Sequence, residues 1–150
     1  MATWAPFPFR GDYAFTATRL KKEWKALHAG DGEPLPQTAA VLKAWVRLHN
    51  GDFQAAHDAG LAAGGAGITA ANKAACIYAY YLEEAEKGKL DLYLAAADRA
   101  QAQAAADPAN PNAHYLRALA LGRYSRGISV ARALAQGLGA QVKASLEQAL

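Results

Sequence analysis

At 150 residues the chain is long enough to bury a real core, as one domain or as a short array of repeated units. Its residues are skewed towards alanine, with few β-branched side chains, which argues for an all-α protein because alanine is the best helix former. The net charge of +3 is too mild to single out nucleic acid, the lone Cys76 excludes an internal disulfide or a Cys-based metal cluster, and no run approaches the ~18 apolar residues of a membrane span.

The opening "MATWAPFPFRGDY" has neither the basic nor the apolar segment of an export signal and no lipid-attachment cysteine. As written it predicts a cytoplasmic protein, and a periplasmic one if a leader has been removed. "YAFTATRLKKEWKALHAGDG" then reads as an amphipathic helix. Tyr13, Ala17, Leu20, Trp24 and Leu27 or His28 recur at three- and four-residue steps, with Arg19, Lys21, Lys22 and Lys25 on the other face. Gly30 and Gly32 stop it, and residues 1–36 form a lead-in with one packed helix ahead of a helical array over residues 37–150.

In that array "QTAAVLKAWVRLH" places Val41, Ala44, Trp45 and Leu48 on one stripe. "NGD" turns the chain, with Asp52 as the expected N-cap of "FQAAHDAGLAAG". "ITAANKAACIYAYYLEEAEKGK" follows as a helix with a polar end, then "LDLYLAAADRAQAQAAADP". "PNAHYLRALALGRY" opens with Pro in its first turn, and the remainder breaks at Gly137 and Gly139 into two short helices. Starts near Ala39, Asn72 and Asn112 lie 33 and 40 residues apart, a period in the range of α-solenoids, whose units bury their apolar faces by stacking.

These segments resemble the tetratricopeptide repeat (TPR). In "AWVRLHNGDFQAAHDAGLAAG" a helix ends in Leu48, Gly51-Asp52-Phe53 follows, and Ala55 or Ala56 packs early in the next helix. In "AAADPANPNAHYLRALALGRY" a helix closes at Asp107-Pro108, and the next opens at Asn112-Ala113-His114-Tyr115 and carries small Ala118. The middle unit lacks this turn, and the last has Gly122-Arg123-Tyr124 in place of Gly-Asp-aromatic. The resemblance implies an α-solenoid of about three TPR-like antiparallel helix pairs with an extra N-terminal helix. The segment "RYSRGISVARALAQGLG" is similar to an insertion in proteobacterial tetratricopeptide proteins, among them the T components associated with TRAP transporters. That closer likeness implies an accessory protein that binds a small molecule or a solute-binding protein. In that group the helix matching "KASLEQAL" leads into another repeat, so the end at Leu150 suggests a fragment or an open end.

The candidate chemistry is sparse. "GLGAQVKAS" is not a P-loop, because Lys143 is followed by Ala144 and no strand precedes it. Arg117, Arg123, Arg126 and Arg132, with Lys143, form the densest basic cluster. They read either as a clamp for a partner's acidic group, since a guanidinium fork suits a carboxylate, or as a solvated face pairing with Glu147 or with Glu83, Glu84 and Glu86. His28, His49, His57 and His114 lack metal-ligand spacing and read as packing or turn residues, Cys76 reads as a buried inert thiol, and no serine has a nucleophile context. Most tyrosines belong to the core or plug the gaps between repeats, with Trp45 and Tyr81 expected in the groove.

The expectation is therefore a non-enzymatic scaffold, without cofactor or metal, that binds a protein or peptide in its concave groove through Arg117, Arg123, Arg126, Trp45 and Tyr81. The alternatives are the small-molecule transporter-accessory role and a homo-oligomer stacked through the exposed apolar helix of Val142, Leu146 and Leu150, which no polar capping helix follows. Nucleic acid is not expected as a partner, because "RLKKEWK" is explained by an exposed helix face.

Overall fold

The computed structural model describes residues 3–150, and among these every regular element is an α-helix. The order is α1 (Ala17–Leu27), α2 (Ala39–His49), α3 (Phe53–Ala63), α4 (Gly67–Tyr81), α5 (Glu86–Ala106), α6 (Pro111–Arg126), α7 (Val130–Ala135) and α8 (Leu138–Ala149). The all-α expectation therefore holds. The chain divides into two compact units, one up to Ala74 and one from Ala75 to Leu150, with α4 contributing to both.

In the first unit short polar residues set the helix starts. Thr16 and Thr38 accept hydrogen bonds from the Arg19 and Val41 amides, which helix geometry would otherwise leave unpaired. The stripe Val41, Ala44, Trp45 and Leu48 is buried as its spacing requires, and so are Leu20 and Trp24 of α1. His28 rather than Leu27 completes the α1 stripe. Tyr13 departs from expectation: it lies outside the helix and is exposed. The Asn50 side chain engages both the amide and the carbonyl of Phe15, at 2.8 and 2.9 Å, so this backbone is tied to the end of α2 just before α1 begins.

Asn50-Gly51-Asp52 folds α3 back onto α2. Gly51 adopts a φ of +77°, and a Cβ there would meet the Phe7 ring at 2.3 Å, so the turn admits only glycine. Asp52 takes the N-cap position without a side-chain capping bond. Its carboxylate instead accepts from Arg10 at 2.5 Å and from Arg47 at 3.2 Å. Further on, α3 and α4 meet through Gly60 and Gly67, where a Cβ on either would fall within 3 Å of the other's carbonyl oxygen.

The second unit packs Cys76 and Ala79 of α4 with Tyr93, Ala96 and Ala97 of α5, Ala120, Leu121 and Tyr124 of α6, and Leu138 of α8. Alanine is the commonest residue at these positions and lets the helices approach closely. α6 packs against α5 on one side and α8 on another. It begins with Pro111 at its first turn and Asn110 accepting from the Asn112 and Ala113 amides. The polar stretch "EEAEKGK" is divided, contrary to the expectation that it ends the preceding helix. α4 stops at Tyr81, and Glu86–Lys89 makes the first turn of α5. Gly137 separates α7 from α8 as expected, whereas Gly139 lies within α8.

Candidate functional site

Two constellations of polar and aromatic side chains emerge, one in each unit. In the second unit Tyr80 and Tyr81, at the end of α4, are 49% and 73% exposed. Their rings meet edge to face, with centroids 4.6 Å apart. The Arg123 guanidinium lies 4.0 Å above the Tyr80 ring, in the geometry of a cation–π contact. Arg123 and Arg126 share the last turn of α6, three residues apart on one face, where their charges also complement the helix C-terminus. The result is a ledge of two phenols and an aligned guanidinium, open to solvent.

The other predicted residues go elsewhere. Arg117 is half-buried and donates to Ser145 Oγ at 2.5 Å and Gln141 Oε1 at 3.0 Å, so its fork ties α6 to α8 rather than facing a groove. Trp45, at 1% exposure, is a core residue of the first unit and is unavailable to any partner. The spacing that aligns it with Val41, Ala44 and Leu48 already argued for that. On α8 Val142 packs against the core, which leaves Leu146 and Leu150 as the exposed remainder of the expected apolar face. Lys143 pairs with Glu147 at 3.8 Å, as on a solvated helix face.

Burial pushes the Cys76 thiol up to about 12, with Arg99 and Arg123 opposing that rise. A thiol held neutral in this way is no nucleophile at neutral pH. Among the described residues no group of three or more His, Cys, Asp or Glu is placed to hold a metal ion. No helix among them is long and apolar enough to cross a membrane.

The first unit contains a polar chain that sequence reading missed. Lys73 of α4 donates to Asp31 Oδ2, and Asp31 Oδ1 lies 3.0 Å from His28 Nδ1. His28 Nε2 lies 3.2 Å from His49 Nε2. Aromatic rings enclose this chain. Trp24 stacks on His28 at 4.0 Å, Trp45 meets His28 edge to face at 4.9 Å, and Phe15 packs on His49 at 5.3 Å. Asp31 Oδ1 also accepts the Glu33 amide, and the Glu33 carbonyl accepts from Trp24 Nε1 at 2.8 Å.

This environment moves the titrations. Desolvation lowers His28 from the ordinary histidine value, with Asp31 opposing the shift and Lys73 adding to it. Desolvation also takes His49 down to about 4, helped by the charges of His28 and Lys73. For Asp31 burial alone would raise the carboxyl, but the hydrogen bonds from Lys73 and the Glu33 amide, and the Lys73 charge, hold it below the usual range. Residues 28 and 31, 49 and 73 come from three separate segments. The only local signal is an aspartate three residues after a histidine in "HAGD".

The first unit also has an open cleft of about 560 Å³ between the N-terminal segment and the start of α3, lined by Trp4, Phe7, Arg10, Asp52 and Phe53 among others. Its Arg10 and Asp52 charges are already paired with each other. Compared with family models, with curated proteins and with solved structures, the chain matches none.

Proposed function

We propose that the chain is a non-enzymatic, tetratricopeptide-like helical scaffold that binds a protein or peptide partner through the ledge of Tyr80, Tyr81, Arg123 and Arg126. The solenoid stacking suggested by the repeat period belongs to the same proposal. The observation that carries it is the exposure of two adjacent phenols with a guanidinium aligned on one of them. Tyrosine and arginine dominate binding hot spots because they offer large area at low entropic cost. An acidic group on the partner would find the Arg123 fork already beside the Tyr80 ring, with Arg126 one turn along the same helix.

The test is an array of short immobilised peptides, acidic and neutral, probed with the native chain and with an R123E/R126E variant. Preferential capture of acidic peptides, reduced at least ~10-fold in the variant, is the expected result. Equal capture by the two chains contradicts the reading.

The transporter-accessory role with a small-molecule ligand is the second reading, and the cleft beside Trp4 and Phe7 is what favours it. A retained small mass in native mass spectrometry, lost on Phe53→Ala substitution, would put it first.

A further inference from the structure

We propose that the paired rings of His28 and His49 form an acid-operated latch, in which protonation of both releases α1 from α2. His28 caps the end of α1 and His49 is the last residue of α2, so their contact joins the ends of the two helices. Besides the pair, α1 is held through the Trp24 and His28 rings, edge to face on Trp45 at 5.3 and 4.9 Å, and through buried Leu20. The two Asn50 bonds to Phe15 hold the segment just ahead of it.

The proton positions follow from the partners. The Asp31 carboxylate can only accept, so His28 Nδ1 carries the proton that faces it. In neutral His28, Nε2 is therefore an acceptor, and His49 Nε2–H donates to it. A first added proton can settle on His28 Nε2, which then donates to a His49 ring of the other tautomer, and the bond survives. A second proton leaves two N–H groups aimed at one another across 3.2 Å with no acceptor between them.

The charged groups facing the pair are Asp31, from the turn after α1, and Lys73, from α4. Once both rings are protonated, three positive charges surround a single carboxylate in a site walled by Trp24, Trp45 and Phe15. His28 is buried and the Asp31 and Lys73 side chains are only 21% and 22% exposed, so the repulsion is only partly screened, and moving α1 away relieves it.

The direction agrees with linkage. Both histidines are depressed in the folded chain, so the stability they confer is complete above pH 6.5 and is lost as pH falls below it, for His49 towards about 4.

The experiment combines ring-proton NMR titration of the full chain with amide hydrogen exchange. On going from pH 7 to pH 3, α1 amide protection factors should fall at least ~10-fold with the midpoint of the His49 titration, while those of α6 hold. His49→Gln supplies a donor that cannot be protonated and should abolish the loss. Lys73→Met removes one opposing charge and should shrink it. The proposal is overturned if α1 protection stays constant while both rings titrate, or if either variant loses protection as the native chain does.

Discussion

At the scale of single residues, burial decides what a side chain can do. Trp45 is the clearest instance, since its indole fills the first unit's core while its Nε1 is buried with no hydrogen-bond partner. An orphan donor costs about 1–3 kcal/mol, so part of what the ring contributes is offset by its own nitrogen. Trp45→Ala should therefore destabilise by about 3–5 kcal/mol and Trp45→Phe by about 1 kcal/mol or less, read from denaturant unfolding. Cys76, buried and held neutral to about 12, should react with a thiol reagent at pH 8 at least ~100-fold more slowly in the native chain than in denaturant. The sequence marked Cys76 as buried, but the expectation of Trp45 in the groove ran against the stripe it shares with Val41, Ala44 and Leu48. The sequence could not reveal that His28, Asp31, His49 and Lys73 meet, because that depends on how α1, α2 and α4 dock.

Among the helices, the contrast between glycines is informative. A Cβ at Gly60 would meet the Gly67 carbonyl oxygen at 2.5 Å and the Ala71 Cβ at 2.9 Å, backbone and methyl atoms that cannot swing aside. Gly60→Ala should cost about 2–3 kcal/mol for that reason. Gly122 lies inside α6 with nothing within 4 Å of such a Cβ. Gly122→Ala should instead stabilise by about 0.5–1 kcal/mol, through the lower entropy of the unfolded chain. Thermal unfolding of the two variants checks both signs.

Helix positions were legible where apolar period and breaker residues agreed, as from Ala39 to His49 and at Asn110-Pro111. Two boundaries were not. Tyr13 continues the α1 period, but Asn50, distant in sequence, ties down the Phe15 backbone and the helix starts after Thr16. The break after Tyr81 is hidden because Glu, Ala and Lys suit a helix as well as a turn, and only the Ala85 amide bonded to Glu83 Oε1 marks the start of α5.

For the whole molecule, acid sensitivity should concentrate in the first unit. The depressed histidines make stability fall below pH 6.5, for His49 down to about 4 and by on the order of 2 kcal/mol once its partial exposure is allowed for. Urea titrations at pH 7 and pH 4.5 should show the loss through tryptophan emission, which comes from Trp4, Trp24 and Trp45, all in the first unit, and His49→Gln should flatten it. Composition and period together indicated an all-α chain, because they sum over many residues. The proposed ledge was legible in three of its four residues: Tyr81, Arg123 and Arg126 were marked as candidates, but Tyr80 joins them through a ring contact that spacing does not encode.

The most direct test of the scaffold reading is a backbone amide NMR titration of the full chain with a short acidic peptide. The ledge predicts shifts concentrated at Tyr80, Tyr81 and the end of α6 around Arg123 and Arg126. Shifts confined to Arg19, Lys21, Lys22 and Lys25 on α1, or no shifts up to about 1 mM peptide, where binding is worth only about 4 kcal/mol, would contradict it.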